Sequence, residues 1–272
     1  MTDSYIASFT LASPPGQTQV YSSTGYYLLG RVVAKLHGMN RPIDAYQQYL
    51  FNPLSITRIR RAQDLIVDQL KDEARYQDPN LNLARSAWSD SQPLVPQQYG
   101  SQEISIDDGG GGLSGAATDM ARLIAILISQ NDNPALKRST LDSMLSAGSA
   151  LTAKGMGRAG YGFDQLIKGP GNPPPDTGGS PLTSGQFYGQ KGGEWVGTQS
   201  VLQFNGDWGF VMLWAGQNPL PDWYPDYPNV VNIAKTTSWG PADLFPQFGM
   251  PSLRAVTRQC GAGGVRSRVP LP

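Results

Sequence analysis

The chain has 272 residues, 39% of them hydrophobic, enough to bury a core as one large domain or two small ones. Lys plus Arg and Asp plus Glu each total 21, so no net field favours nucleic acid, an anionic membrane or a strongly charged substrate. Cys260 is the one cysteine and His37 the one histidine, which excludes an intrachain disulfide and leaves no Cys/His ligand set for zinc.

No metal and no cofactor are therefore expected. Nothing near Met1 pairs basic residues with the roughly 7–15-residue apolar run of a signal peptide. No apolar run approaches the roughly 20 residues of a membrane helix either. The expectation is a soluble chain with no membrane span and an open localisation. The 32 glycines and 22 prolines favour turns and long connections over a helical bundle.

In chain order, residues 1–20 are polar and contain a Pro14-Pro15-Gly16 turn. Leu29, Val32, Val33 and Leu36 then recur at helical spacing after Ser22, Ser23 and Thr24, which suit an N-cap, so a helix is predicted over 24–37, stopped at Gly38. His37 at its C-terminus suits the helix dipole. A second helix is predicted over 42–50, with Pro42 in its first turn and Ile43, Tyr46, Tyr49 and Leu50 on one face. Residues 57–100 have a weak pattern, with a candidate helix at 62–70 and then a polar, proline-bearing surface excursion of the kind that walls a cleft. Asp107-Asp108 and the glycines at 109–112 form a turn, after which Thr118 is read as the cap of a helix whose apolar face is Met120, Leu123, Ile124, Leu127 and Ile128.

A strand is predicted over 161–167 and a glycine- and proline-rich loop over 169–186. Two further strands, 197–204 and 208–215, flank Asn205-Gly206, the strongest short hairpin signal in the chain. They are expected in one sheet with the 161–167 strand. A short helix is read near 230–235, and from Pro251 a loose tail whose arginines are solvated.

The chemistry-bearing residues cluster in two places. Tyr21-Ser22-Ser23 stands immediately before a helix, and Lys191-Gly192-Gly193 is read as standing immediately before a strand. The run Tyr21-Ser22-Ser23-Thr24-Gly25-Tyr26-Tyr27-Leu28-Leu29-Gly30 resembles the Tyr-x-Asn segment of class C β-lactamases and penicillin-binding-protein-like esterases. Pro53-Leu54, residues 110–119 and the Lys-Gly-Gly-Glu-Trp-Val-Gly run at 191–197 follow in that superfamily's order. The resemblance implies an α/β fold of the α+β type, an antiparallel sheet flanked by helices. It implies an acyl-enzyme hydrolase acting on a small-molecule ester, lactam or peptide. In that scheme Tyr21 is general base or acid, Lys191 its electrostatic partner, and Ser23, Gly192, Gly193 and Glu194 contact the substrate, the Glu194 N–H as an oxyanion donor. A phenol with a pKa near 10 needs nearby cations to serve as a base. Taken alone, Tyr21 is a packing residue near a cap and Lys191 a solvated turn lysine; the functional reading rests on the ordered matches.

The pattern also breaks. The superfamily's nucleophile is the serine of a Ser-x-x-Lys motif upstream of the tyrosine, and here no serine is followed three residues later by lysine. Only 20 residues precede Tyr21, so the N-terminal part of the fold is expected to be missing. Ser23 stands where Asn is usual and Gly192 where Thr or Ser is usual. No Gly-x-Ser-x-Gly elbow replaces the motif, and one histidine at a helix end makes no triad. The expected organisation is a partial hydrolase domain over 1–250 with a tail over 251–272, inactive alone. Self-association or a partner chain would cover an apolar face of the sheet or of the helix that carries Met120 and Ile128. The rival is a noncatalytic binding protein whose Trp195, Trp214, Trp223, Tyr224 and Tyr227 line a groove.

Overall fold

The computed structural model describes residues 8, 10, 13–14, 20–91, 93–129, 132–145, 162–163, 165–168, 187–205, 209–216 and 244–252. The loop at 169–186, the helix at 230–235, the Gly206 turn position and all of the tail beyond Ser252 lie outside them.

Helix α1, Ser23–Leu36, starts as the sequence requires: the Ser22 side chain accepts the Gly25 N–H at 2.9 Å. His37 is the C-cap, and Gly38 follows at φ 67, the left-handed conformation that glycine adopts freely. The face α1 buries is not the one its periodicity suggests. Gly30 and Ala34 are buried, while Leu29, Val32 and Leu36 are exposed. A Cβ on Gly30 would lie 2.6 Å from the Gly109 Cα and 2.9 Å from the Tyr46 hydroxyl, so α1 crosses the 107–112 turn backbone against backbone.

Helix α2, Pro42–Tyr46, passes without a break into a π turn, Gln47–Phe51, over the predicted 42–50 span. The Ile43 N–H in its first turn donates to the Asp108 carboxylate at 3.0 Å, so the glycine-rich turn caps α2 as well as receiving α1. Asp107 organises that turn: its carbonyl accepts the N–H groups of Gly110, Gly111 and Gly112 at 3.0, 2.9 and 2.7 Å.

The candidate helix at 62–70 does not form. Strand β1, Arg60–Arg61, pairs with β4, Leu113–Ser114, and turns follow. Asp64 is drawn into long-range bonds: its carboxylate accepts the Ser105 N–H and hydroxyl at 2.8 and 2.6 Å, and its carbonyl accepts the Gly100 N–H. Those partners outcompete local helical bonding. The excursion that follows carries a small hairpin, β2 (Leu83–Arg85) with β3 (Leu94–Pro96).

Helix α3, Ala117–Ile128, is the helix read from the apolar face at Met120 to Ile128, but Thr118 is not its cap. It lies inside the helix, and the cap, Ala116, makes no side-chain bond. Asp119 and Arg122 tie α3 to distant chain. The Asp119 carboxylate accepts the Thr57 and Arg58 N–H groups at 2.9 and 2.5 Å. Arg122 Nε donates to the Leu54 carbonyl at 2.5 Å and Nη1 to the Pro251 carbonyl at 2.7 Å, with the guanidinium 5.1 Å from the Phe245 ring. Helix α4, Arg138–Leu145, has no counterpart in the sequence reading.

The main sheet is antiparallel, in the order β5 (Gln165–Lys168), β6 (Phe187–Trp195), β7 (Thr198–Asn205), β8 (Gly209–Trp214). The predicted hairpin is β7–β8, with Phe204 opposite Gly209. The predicted strand ending at Ile167 is β5, in the same sheet, though β6 stands between it and the hairpin. Helix α3 covers one face of the sheet, where Ile124 and Leu127 meet Leu202, Phe204 and Phe163. A second cluster joins Ile126 to Ile43, Phe51, Leu54, Ile56 and Ile59. The α3 face is therefore covered by this chain's own residues, and the exposed apolar stripe is on α1. This is an antiparallel sheet flanked by helices, the α+β arrangement expected.

Candidate active site

The two motif segments meet. Tyr21 precedes the Ser22 cap, and Lys191 lies in the middle of β6, opposite Leu202. Directly opposed residues of an antiparallel pair share a face, so Lys191 emerges on the α3 side of the sheet. The Lys191 Nζ lies 5.2 Å from the centroid of the Tyr21 ring and 5.9 Å from that of Tyr26. Tyr21 is 69% exposed, so the pair sits at the open end of α1.

The remaining expected residues take positions around it. Ser23 is the first residue of α1 and is exposed. Lys191, Gly192 and Gly193 lie within β6 and not ahead of a strand as expected; Gly192 and Gly193 pair with Val201 and Ser200, and the ladder with β7 carries the glycines. Glu194 is opposite Gln199, exposed, one residue short of the end of β6. The β6–β7 hairpin turns at Val196-Gly197, where Gly197 adopts φ 76.

The 57–105 excursion reaches this hairpin. The Gln77 N–H donates to the Gly197 carbonyl at 3.2 Å, and a Cβ on Gly197 would lie 3.0 Å from the Gln77 nitrogen. Behind that contact Tyr76 stacks on Tyr99, with centroids 5.6 Å apart, and accepts on its own carbonyl a bond from Gln98. The Tyr99 hydroxyl accepts the Tyr76 N–H at 2.6 Å, and the Tyr76 hydroxyl donates to Glu73. Burial, and then the Glu73 carboxylate, push the Tyr76 phenol well above its ordinary range. Burial also raises the Tyr46 phenol at the α1–α2 junction, with Asp108 adding to it.

Two residues near the site were given no role by sequence reasoning. Tyr26 stood in the motif run without one. Ser200 becomes visible only through the register: it is opposite Gly193, and its Oγ lies 2.5 Å from where a Gly193 Cβ would be. A serine hydroxyl thus occupies the space the glycine leaves on the Lys191 face. Chemically, the arrangement offers an ammonium over the ring of a phenol, a hydroxyl, and a strand free of side chains at 192 and 193.

Sheet order, the covering helix and the meeting of the two motif segments define a β-lactamase/transpeptidase-like serine-hydrolase fold. The β-lactamase family model matches residues 2–235, and the chain belongs to that family. Among solved structures, the fold is similar to a class C β-lactamase (TM-score 0.61, 17% identity, 87% of this chain and 62% of that one). It is also similar to the octameric penicillin-binding protein homologue from Pyrococcus abyssi (TM-score 0.54, 18% identity, 90% and 46%). A third likeness is a D-stereospecific amidohydrolase from Streptomyces sp. (TM-score 0.52, 19% identity, 83% and 57%). The chain spans about half to three-fifths of the length of these proteins. A comparison with curated proteins gives no match.

Proposed function

We propose that this chain carries the general-base tyrosine and its lysine partner from an acyl-transfer site that acts on small esters, lactams or D-amino-acid peptides. Tyr21 takes and returns the proton, Lys191 stabilises the phenolate, and the Glu194 N–H faces the developing oxyanion. Ser23, Gly192 and Gly193 line the substrate. The observation that carries this reading is the approach of Lys191 Nζ to within 5.2 Å of the Tyr21 ring, from segments far apart in sequence. A chance pairing of two solvated side chains has no reason to join the two segments the family motif singles out.

The serine nucleophile is the missing part. With no Ser-x-x-Lys in the sequence, we infer that residues 1–272 alone do not form an acyl-enzyme, because covalent catalysis needs that hydroxyl and its base. The exposed Leu29, Val32 and Leu36 of α1 support self-association or a partner chain on that face; the similar protein from Pyrococcus abyssi is octameric. No helix among the described residues is long and apolar enough to cross a membrane. The division into a domain over 1–250 and a tail over 251–272 is part of the same proposal; the bond from Arg122 to the Pro251 carbonyl carries the packed part to that boundary. The noncatalytic rival has less support, since the register puts Trp195 on the Lys191 face of the sheet and Trp214 on the other; its other three aromatics lie outside the described residues.

The test is turnover of p-nitrophenyl esters and a chromogenic cephalosporin by the chain and by Tyr21→Phe, with the mass in solution measured on both. Equal rates at background, with an assembly larger than a monomer, are expected. Robust turnover abolished by Tyr21→Phe would overturn the inactivity, and a monomer would overturn the covered face.

A further inference from the structure

Lys191 has an unusual setting for a residue that must hold a charge in one place. Its nearest neighbours on the same face along β6 are Gly189 and Gly193, with Leu202 opposite it on β7. Neither glycine has a side chain to buttress the lysine stem. Lysine has four flexible carbons and a compact ammonium without the planar fork of arginine, so where its charge sits depends on what meets the ammonium.

Two rings, one just ahead of α1 and one within it, meet the ammonium. Both ring centroids are within the roughly 6 Å at which an aromatic face attracts a cation: Tyr21 at 5.2 Å and Tyr26 at 5.9 Å. The two rings are not equally anchored. Tyr21 lies ahead of the cap and is 69% exposed, whereas Tyr26 is inside α1 and 36% exposed. The Tyr26 N–H donates to the Ser22 carbonyl at 3.3 Å, and a Cβ on Gly109 would lie 3.0 Å from the Tyr26 carbonyl oxygen. The backbone of Tyr26 is thus pinned at the crossing of α1 with the glycine-rich turn.

We propose that Tyr26 is a positioning residue: with Tyr21 it holds the Lys191 ammonium between two aromatic faces and so fixes where that charge sits relative to the Tyr21 phenol. This rests on the roles proposed above for Tyr21 and Lys191 and gives them a fixed geometry. It is the ring of Tyr26 that matters, not its hydroxyl, so phenylalanine serves in its place and leucine does not.

The test uses the full chain with 13C-labelled lysine, the Lys191 signal being assigned by its loss in Lys191→Arg. In the wild type the ε-methylene protons of Lys191 should resonate upfield of the solvent-exposed lysines, because they lie over ring faces. Tyr26→Phe should keep that shift and Tyr26→Leu should lose most of it. Trinitrophenylation of Lys191, followed by peptide mass, should speed up about two- to fivefold in Tyr26→Leu, the factor a partly exposed cation–π contact corresponds to, and stay unchanged in Tyr26→Phe. A wild-type signal at the position of exposed lysines overturns the proposal, as does a signal and rate untouched by Tyr26→Leu. If Tyr26→Leu does not fold, the wild-type shift and the Phe variant decide. Neither readout involves turnover, so failure of the Tyr21 base assignment leaves them unchanged, and failure here leaves the turnover test standing.

Discussion

Replacing Gly30 with alanine tests the contact that sets α1 against the rest of the molecule. The added Cβ would sit 2.6 Å from the Gly109 Cα, about 1 Å inside the usual 3.5–4.0 Å carbon–carbon separation. The neighbour is backbone and cannot rotate away, so the strain belongs in the upper part of the roughly 1–3 kcal/mol seen for overpacking. Alanine returns about 1 kcal/mol of helix propensity relative to glycine. The net expectation is a loss of about 1–2 kcal/mol, read as a lower urea midpoint with an unchanged slope by circular dichroism. Gly111→Ala is the control: nothing lies within 4 Å of its Cβ and its φ is ordinary, so its effect should stay within about 0.5 kcal/mol. A Gly30→Ala protein as stable as the wild type would refute the backbone crossing, and with it the placement of Tyr26 beside Lys191.

Three other outcomes are expected. Phe204 is fully buried and meets Phe163 edge-on at 5.2 Å, so Phe204→Ala should lose about 3–5 kcal/mol in the same assay. Arg122→Leu strips the buried Leu54 carbonyl and the Pro251 carbonyl of a charged donor and should lose about 3 kcal/mol; Arg122→Lys should rescue little, because one ammonium cannot span both carbonyls. Tyr76 supplies a pH signature. Its phenol is raised in the fold by burial and by Glu73, so the folded state favours the protonated form. That contribution is fully present below the unfolded value of about 10 and is lost as pH rises toward the folded one. Stability measured from pH 8 upward should therefore fall above about pH 10, and fall less in Tyr76→Phe; equal slopes would contradict the assignment.

Local signals made some elements readable and distant contacts hid others. Ser22 and the spacing of Leu29, Val32 and Leu36 located α1, yet those leucines and valine are exposed, because α1 docks through Gly30 on Gly109 and such a crossing requires small residues. The helix read at 62–70 fails because Asp64 accepts bonds from Ser105 and Gly100, which no local window contains. Glycines lower strand propensity, so Lys191-Gly192-Gly193 reads as lying ahead of a strand, although it sits within β6, where Gly192 and Gly193 pair with Val201 and Ser200. Helix α4 offers a weak apolar pattern, anchored by the fully buried Leu141. At the site, motif order brought Tyr21 and Lys191 forward. Tyr26 and Ser200 needed the packing of α1 and the register of β6 on β7, and neither is encoded by spacing.

The central proposal is that the chain holds the tyrosine–lysine half of a serine-hydrolase site and no nucleophile of its own. Treatment with a fluorophosphonate, followed by intact mass and peptide mapping, tests it most directly, because that reagent modifies a hydroxyl only where a base and an oxyanion site activate it. The prediction is no adduct on any serine of residues 1–272, in wild type and Tyr21→Phe alike. A single stoichiometric adduct on one serine, lost in Tyr21→Phe, would contradict it and identify the nucleophile.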